Sequence, residues 1–371
     1  MSMKLSILQQ DLLPVLSAVS RSVGVRSTLP VLGNILLSAE GKKLKIAATN
    51  LEIGVIKYVS AEVGEEGELT VPAKTIVEII QGLGPVKVEL ETNSDVLSVS
   101  AGKFKASVNG ISASEFPVIP LSEGGGVSFK ASILKGSSQI LFAAASDEGR
   151  PILTGVLTQA SGGKLDFVAT DGFRLAHRQV KLEDGKQTFK SLIPRRTFEE
   201  VLRIIDEEAG EEDAVVEIST STGANQVIFK IGQTTISSRL IEGSFPNWEK
   251  IIPTEIKSRG VVDRAGLLSA VKLASVFAKS EANVLTLKVE KDKLSISSEA
   301  KELGSQSNEV EAQIEGEEME IAFNSRFLQD ALGAANSTQL MMEFSGPLSP
   351  TLIKPVGEEG LQYIVMPVRL S

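Results

Sequence analysis

The most regular feature of the sequence is a pattern of alternating apolar and polar positions that recurs with a long period. Thr28–Val55 aligns without a gap with Gly149–Ala176, at an offset of 121 residues, and nine of the 28 positions are identical. Unrelated stretches of ordinary composition share about two. A fainter third copy, offset by 250 residues, includes Leu285–Ser297, whose alternation around a central turn predicts a β-hairpin. The sequence therefore contains a threefold internal duplication.

Helical patterns flank each copy of the repeat. One helix is predicted before it, at residues 9–23, 132–146 and 263–280, and a second after it, at residues 73–85, 193–205 and 323–332. Alternating strands such as Val96–Val108 and Asn225–Leu240 then close the unit. Each third of the chain therefore predicts an α+β fold, with two helices on one face of an antiparallel sheet.

Gly-rich or Pro-bearing connections separate the three units. Such connections are typical of domain boundaries. We therefore predict an N-terminal domain at residues 1–124, a central domain at residues 125–253 and a C-terminal domain at residues 254–371.

The composition argues against most kinds of catalysis. The chain has no cysteine, which excludes thiol nucleophiles and zinc–thiolate sites, and its single histidine, His177, excludes a multi-histidine metal site. We therefore predict no metal and no cofactor. Asp171 has no second carboxylate or histidine at a spacing that suggests acid–base catalysis, so it is predicted to be a turn residue. His177 is predicted to be a surface residue of a strand. An α+β hydrolase that uses Asp and Glu is thus the weaker hypothesis.

The charge is unevenly distributed along the chain. The net charge of −9 argues against a protein that holds nucleic acid by bulk charge. The six predicted helices, however, together carry +4, and the remainder of the chain carries −13. A weakly basic helical surface would suit contacts to phosphate that are few and independent of sequence. No run of 18 apolar residues and no signal-like start is present, so we expect a cytoplasmic protein without a membrane span.

Five segments, in order along the chain, carry a resemblance to a known family: LPVLGNILL (Leu29–Leu37), RPILTGVL (Arg150–Leu157), ATDGFRLA (Ala169–Ala176), RLIEGSFPNW (Arg239–Trp248) and YIVMPVRL (Tyr363–Leu370). Together they resemble the sliding clamp family, the beta subunit of bacterial DNA polymerase III. The resemblance implies a DNA-clamp fold of three repeated domains, with antiparallel sheets outside and two helices of each domain inside. It also implies a head-to-tail homodimer that closes into a ring around double-stranded DNA.

The resemblance further implies a processivity factor that has no chemistry of its own. Such a ring binds DNA topologically and without sequence preference, and it tethers the replicative polymerase. The implied protein partners are the DNA polymerase III alpha subunit, the clamp loader, and other polymerases and repair proteins, which bind through short linear motifs. No membrane partner is implied. A monomeric peptide-binding scaffold that does not encircle DNA remains the alternative, and the mass in solution separates the two.

Three sets of site residues follow from the resemblance. The DNA-binding set comprises Arg26, Lys74, Arg150, Arg195, Arg196, Arg203, Lys272 and Lys279. The dimer-interface set comprises Lys103, Ala106 and Val108 on the strand Lys103–Asn109, with Val276 and Phe277 on the other subunit. The peptide-groove set comprises Leu153, Thr170, Gly172, Arg174, Leu175, Pro246, Lys250, Ile251, Leu348, Pro350, Ile364, Val365, Met366, Pro367, Val368, Arg369 and Leu370.

The apolar end of the chain admits two interpretations. Without the resemblance, Tyr363–Leu370 could equally be a final edge strand packed on the core, with Pro367 ending its hydrogen-bond ladder. With the resemblance, it borders the groove, where apolar walls and a flexible methionine adapt to varied partners. Phe173 stands where the family is often polar, which implies a more apolar groove.

Overall fold

The computed structural model describes residues 2–24, 29–122, 126–147, 149–182, 188–208, 214–221, 223 and 225–369. The chain divides into two compact units. Unit 1 comprises Met1–Ser132 and Arg196–Leu240, and unit 2 comprises Ile133–Arg195 and Ile241–Ser371. The central third of the sequence therefore contributes to both units.

The described residues form antiparallel strands and short helices. The strands are β1 (Lys4–Leu8), β2 (Asn34–Glu40), β3 (Lys43–Thr49), β4 (Ile53–Ser60), β5 (Glu62–Glu65), β6 (Gly67–Pro72), β7 (Lys87–Asn93), β8 (Val96–Ala101), β9 (Phe104–Asn109), β10 (Val127–Lys130), β11 (Gly155–Ser161), β12 (Lys164–Thr170), β13 (Arg174–Lys181), β14 (Phe189–Pro194), β15 (Val215–Ser221), β16 (Gln226–Ile231), β17 (Thr234–Arg239), β18 (Ser258–Asp263), β19 (Val284–Val289), β20 (Lys293–Ala300), β21 (Gly304–Gly316), β22 (Met319–Asn324), β23 (Gln339–Phe344), β24 (Thr351–Pro355) and β25 (Leu361–Val365). The α-helices are α1 (Gln9–Ser20), α2 (Ala73–Gly82), α3 (Ala131–Gly136), α4 (Arg195–Glu208), α5 (Arg264–Ala278) and α6 (Ser325–Ala334). Short 3-10 helices lie at Pro30–Gly33, Ala113–Glu115, Ser137–Ala143, Pro151–Thr154 and Trp248–Ile251.

Unit 1 contains two antiparallel sheets. The strand orders are β5-β1-β7-β8-β9 and β10-β15-β16-β17-β4-β3-β2-β6. The second sheet contains strands from the first repeat and strands from the central repeat. The two groups meet where β17 pairs with β4, with Ile236 opposite Val55. Helix α1 buries Leu12, Leu16 and Val19 on one face, and their spacing of three and four residues explains why this segment is a surface helix.

Unit 2 contains one twelve-stranded sheet with the order β14-β11-β12-β13-β25-β24-β23-β18-β21-β20-β19-β22. The central repeat and the last third of the chain join where β13 pairs with β25, with Leu175 opposite Ile364. The hairpin predicted at Leu285–Ser297 is confirmed as β19 and β20, with Thr286 opposite Ser297.

The duplication is visible in the hairpins as well as in the sequence. Strands β2 and β3 are joined by a two-residue turn, and so are β11 and β12. Gly41 and Gly162 occupy the first position of these turns, with φ of 61° and 59°. A left-handed residue at this position matches the twist of a two-residue hairpin, and glycine adopts that conformation without strain.

Two predictions about local structure were wrong in detail. The helix predicted at residues 132–146 is α3 followed by a 3-10 helix from Ser137. Gly136 and Ser137 favour helix weakly, and the Ser137 hydroxyl donates to the Leu134 carbonyl at 2.6 Å. Lys103, predicted to be in a strand, lies with Gly102 in the turn before β9, because Gly102 has a φ of 60°. No helix in the described part of the chain is long and apolar enough to cross a membrane.

Candidate functional site

An apolar cluster covers one face of the unit 2 sheet where β11, β12, β13 and β25 lie side by side. Its buried members are Leu157, Val168, Leu175, Leu192, Leu352 and Ile364. Half-buried apolar residues pack against it, and these are Ile152, Ile241, Phe245, Trp248, Ile251 and Ile252. Side chains on alternate strand positions share a face, so strand pairing alone brings Leu175 and Ile364 together. The half-buried residues around the cluster leave part of their apolar surface accessible at its edge.

A tight turn between β12 and β13 borders this cluster. The Thr170 hydroxyl donates to the Arg174 carbonyl at 2.6 Å and accepts from the Gly172 amide at 3.0 Å. One carboxylate oxygen of Asp171 accepts from the amides of Phe173 and Arg174, at 2.9 and 3.0 Å. The prediction that Asp171 is a turn residue is confirmed. Gly172 has a φ of 91°, a conformation that favours glycine.

Arg174 is held between two carboxylates. Its Nε donates to Asp171 at 3.0 Å, and one of its terminal nitrogens donates to Asp330 on α6. The guanidinium also lies over the rings of Phe327 and Phe142, at 4.8 and 5.3 Å from their centroids. These contacts fix the side chain, which is 12% exposed. Arg174 therefore braces the turn against α6.

An exposed aromatic surface lies beside the braced turn. Phe173 is 55% exposed and stacks on Phe327, with ring centroids 6.1 Å apart and an angle of 19° between the rings. The guanidinium of Arg150 lies 5.9 Å from the Phe173 centroid. A large exposed ring that is held in place costs little conformational entropy when a partner side chain packs on it.

The segment after β25 runs along the same turn. The Met366 amide donates to the Phe173 carbonyl at 2.9 Å, and the Val368 amide donates to the Ala322 carbonyl at 2.8 Å. Met366, Pro367 and Val368 are half-buried, so part of each apolar side chain is accessible. The alternative interpretation, an edge strand over Tyr363–Leu370, is therefore wrong in two respects: β25 ends at Val365, and it pairs with β13 on one side and β24 on the other.

The predicted groove residues occupy three settings in unit 2. Leu175, Ile251 and Ile364 belong to the apolar cluster or pack against it. Thr170, Gly172 and Arg174 form the turn, and Val365 lies opposite Arg174 in β25. The others are half-buried or exposed on adjoining segments: Leu153, Pro246, Lys250, Leu348, Pro350, Met366, Pro367, Val368 and Arg369. Leu370 lies outside the described residues. We refer to this surface as the groove.

Four residues of the groove were not among those predicted. Phe142, Phe327 and Asp330 contact Arg174, and Trp248 packs against the apolar cluster. Trp248 ends one of the segments that carry the family resemblance and is the only tryptophan of the chain, which was a usable signal. The others lie on helices whose pattern predicts only a buried face.

His177 differs from its prediction. It lies on β13 as expected, but it is 6% exposed rather than a surface residue. Its Nε2 is 2.8 Å from Asp166, and its Nδ1 is 2.9 Å from the Gln362 side-chain nitrogen. Polar partners on both neighbouring strands make burial of the imidazole possible.

Most predicted DNA-binding residues are exposed cations on helices. Lys74 lies on α2, Arg196 and Arg203 lie on α4, Lys272 lies on α5, and Lys279 follows α5 directly. Arg150 is also exposed, whereas Arg195 is half-buried. Arg26 lies outside the described residues. Lys74 has a partner in Glu78 at 3.8 Å, but both side chains are highly exposed and the pair is weak.

An ion-pair network in unit 1 connects α1 with α4. Buried Glu200 contacts Arg21 at 3.2 Å and Arg203 at 2.6 Å, and Arg21 also contacts Glu207 at 2.9 Å. Burial disfavours the charge of Arg21, but hydrogen bonds and attraction from Glu207 and Glu200 outweigh it, so the pKa of the guanidinium is raised. Arg196 lines a cavity of about 640 Å³ together with Arg21, Glu200 and Arg203. Glu200 thus offsets part of the positive charge on this face of α4.

The predicted dimer-interface residues lie on a sheet edge and on a helix. Strand β9 ends the five-stranded sheet and pairs with β8 alone in the described part of the chain. Val108 is buried and Ala106 is half-buried, so both side chains serve the sheet's own core. Val276 on α5 is 57% exposed, and Phe277 is half-buried. The free feature of β9 is therefore its backbone edge.

Family models match nearly the whole chain in three consecutive parts. Residues 3–120 match the N-terminal domain of the DNA polymerase III beta subunit, residues 130–247 its central domain, and residues 249–369 its C-terminal domain. The beta sliding clamp of Synechococcus elongatus is 35% identical over 379 residues, covering 99% of this chain and all of the relative. That of Staphylococcus aureus is 29% identical over 380 residues, covering 99% of each chain.

Solved structures match the fold over the full length. The DNA polymerase sliding clamp of Bacillus subtilis superposes with a TM-score of 0.94 at 28% identity, covering 100% of both chains. The DnaN sliding clamp of Pseudomonas aeruginosa, solved bound to griselimycin, gives a TM-score of 0.93 at 29% identity, again covering 100% of both chains.

The three-domain fold of antiparallel sheets and helices therefore defines a DNA sliding clamp. The relatives are beta sliding clamps and DNA polymerase sliding clamps, and they favour a sliding clamp for the polymerase over a monomeric peptide-binding scaffold that does not encircle DNA. The chain belongs to the family of DNA polymerase III beta subunits.

Proposed function

We propose that this sliding clamp works as a head-to-tail homodimer that closes around double-stranded DNA. The observation that carries the proposal is a pair of unpaired strand edges in one chain. In the described residues β9 pairs only with β8, and the Gly304–Glu311 part of β21 pairs only with β20. A contact between two different edges is heterologous, and two such contacts close a ring and leave neither edge exposed.

Helix α5 supports β21 as the second half of this interface. It packs on β20 and β21, and its Val276 is 57% exposed. If β9 of the partner subunit pairs with the free edge of β21, the sheet continues across the interface and the partner covers Val276, which explains why this valine is exposed in the single chain. The predicted boundaries at residues 124 and 253 then separate three domains in each protomer and six in the ring.

The DNA-facing surface in this proposal consists of the helical cations. Lys272 on α5 and Lys279 directly after it are seven residues apart and lie on the same side of the helix, and Arg196 and Arg203 have the same spacing on α4. Glu200 reduces the net charge on α4. Contacts that are few and exchangeable allow the duplex to slide, whereas strong neutralisation of phosphate would hold it in place.

The groove in unit 2 is the proposed site for partner proteins. It offers an apolar cluster, the exposed ring of Phe173, and the accessible side chains of Met366 and Val368. Short linear motifs of the polymerase III alpha subunit, the clamp loader and other polymerases or repair proteins fit such a surface. Since a relative has been solved with griselimycin, we propose that this groove also binds that compound. The clamp itself carries out no reaction, and it acts in the cytoplasm on the nucleoid.

The ring is tested by its mass and by its retention on DNA. The purified protein should have a mass in solution near twice 39.5 kDa. After loading it should remain on closed circular DNA and leave linear DNA through the ends, because the link is topological. Light scattering and gel filtration of the loaded DNA measure the two properties. Equal retention on circular and linear DNA, or a monomeric mass, would contradict the proposal.

Reversing the charge of Lys272 on α5 and of Lys279 at its C-terminal end tests the DNA-facing surface. In the double variant Lys272→Glu and Lys279→Glu, each protomer places two acidic side chains where we expect phosphates. Each lost contact weakens binding by roughly twofold to fivefold at moderate salt, and repulsion adds to this. We therefore expect at least about tenfold weaker binding to short duplex DNA and a shallower salt dependence. Fluorescence anisotropy over a salt series measures both.

The matched control for this variant is the double charge reversal Lys42→Glu and Lys190→Glu, which changes the net charge of each protomer by the same amount. Lys42 lies in the turn between β2 and β3 and Lys190 lies on β14; both are exposed, and neither is among the predicted DNA contacts. The same affinity loss in this control would mean that net charge, and not the helical surface, determines binding.

A further inference from the structure

We propose that His177 is a positioning residue of the groove: fixed by Asp166 and Gln362, it supports the indole ring of Trp248 and thereby sets the affinity for ligands. The inference rests on the proposed function of the groove and adds a residue that does not itself form its surface. Its starting point is a buried polar cluster directly beside the apolar cluster.

Strand register places the polar cluster and the apolar cluster on the same face of the sheet. His177 lies opposite Val168 on β12 and opposite Gln362 on β25. Asp166 is two residues before Val168, and His177 is two residues after Leu175, so all of these side chains point to one side. The polar cluster therefore continues the floor of the groove along the strands.

The hydrogen bonds fix the protonation pattern of the imidazole. A carboxylate only accepts, so the 2.8 Å contact with Asp166 requires that His177 Nε2 carries the hydrogen. Nδ1 faces the side-chain nitrogen of Gln362 at 2.9 Å, and because an amide nitrogen only donates, Nδ1 is the acceptor of this bond. Both ring nitrogens therefore have a partner, as a residue that is 6% exposed requires.

Asp166 is itself held in its charged form. Burial disfavours the carboxylate, but hydrogen bonds from His177 and from Gln179, at 2.8 and 2.9 Å, outweigh burial and lower the pKa of Asp166. A charged acceptor strengthens the bond to the imidazole and narrows its orientation. The ring of His177 is thus a rigid platform, connected to three strands through Asp166, Gln179 and Gln362.

Trp248 rests on this platform. Its ring centroid is 4.3 Å from that of His177, with an angle of 43° between the rings. Trp248 begins the 3-10 helix that carries the predicted groove residues Lys250 and Ile251, and it packs against the apolar cluster. A change in the support below Trp248 therefore shifts one wall of the groove without touching the ligand.

The test combines ligand affinity with the emission of Trp248, which is the only tryptophan in the chain. His177→Leu keeps much of the volume and removes both hydrogen bonds. We expect its affinity for griselimycin to fall about three- to tenfold, because binding must then immobilise the Trp248 side chain that His177 holds in the wild type. The Trp248 emission maximum should shift as the indole gains mobility. His177→Gln, which can still donate to Asp166, should return both readouts most of the way to wild type.

Two further variants keep the test decisive. Gln362→Leu removes only the partner of His177 Nδ1 and should give a smaller loss of griselimycin affinity. This variant replaces His177→Leu in the test if circular dichroism shows that His177→Leu does not fold. Glu290→Gln removes the negative charge from the 3.0 Å pair with Lys288, at the hairpin of β19 and β20 in the same sheet, and should change neither readout. Wild-type affinity in both His177→Leu and Gln362→Leu would overturn the inference. Failure of the wild-type protein to bind griselimycin would instead contradict the groove itself.

Discussion

Replacing Ser107 by proline is expected to convert the dimer into monomers. In the two-residue hairpin of β8 and β9, Ala101 and Phe104 form the hydrogen-bonded closing pair, and such pairs alternate with non-bonded ones along an antiparallel ladder. The Ser107–Ser98 pair is non-bonded, so the Ser107 amide points away from β8, toward the free edge. Proline removes this donor and obstructs an incoming strand.

The size of the effect follows from the hydrogen-bond acceptor that the proline leaves unpaired in the partner strand. Such a buried acceptor costs about 1–3 kcal/mol, and the proposed ring has two interfaces. A total of at least about 2 kcal/mol raises the dimer dissociation constant by at least about 30-fold. Sedimentation equilibrium over a concentration series measures it. Because Ser107 is exposed and its amide does not pair with β8, the thermal stability of the monomer should change little.

The control for the proline variant changes the side chain only. Ser107→Ala keeps the backbone donor and should keep the dimer. A proline variant that stays dimeric at micromolar concentration would show that β9 does not form the interface, and the ring closure argued from the two free edges would then be wrong.

Local features of the fold were predictable because the duplication repeats local chemistry. The aligned threonines of the repeat illustrate this. Thr49 donates to the Ile53 carbonyl at 3.0 Å and accepts from the Leu51 amide at 3.0 Å. Thr170 makes the same two bonds with Arg174 and Gly172. The threonine that is identical in the two repeats thus forms the same turn in each copy, with hydrogen bonds to residues two and four positions further along the chain.

The contacts that shape the groove in unit 2 and the ion-pair network in unit 1 have no such local signal. Arg174 and Asp330 are 156 residues apart, and Arg21 and Glu200 are 179 residues apart. Neither pair has a spacing that a helix or strand period could reveal, because strand order in the sheets brings them together. The burial of His177 was missed for the same reason, since its partner Gln362 lies 185 residues away. Only the family resemblance pointed to the groove.

Deleting Met366–Ser371 is expected to abolish binding of the polymerase to the clamp. The chain would then end at Val365, the last residue of β25, and lose the accessible side chains of Met366 and Val368. Fully burying an exposed side chain of this kind contributes about 1.5–3 kcal/mol, and Met366 and Val368 are already half-buried, so the loss of these two contacts alone weakens binding by at least about tenfold. Calorimetry with the alpha subunit of DNA polymerase III, and separately with griselimycin, measures the change.

The deletion should leave the dimer intact, because β9 and β21 lie elsewhere in the sequence and the strand pairing of β25 is retained. A light-scattering mass near that of the full-length dimer therefore serves as the internal control. The substitution Phe173→Ala refines the result, since it removes the exposed ring and keeps the carbonyl that accepts from Met366. Its affinity should lie between those of wild type and deletion. Undiminished binding in the deletion variant would place the polymerase site outside the groove.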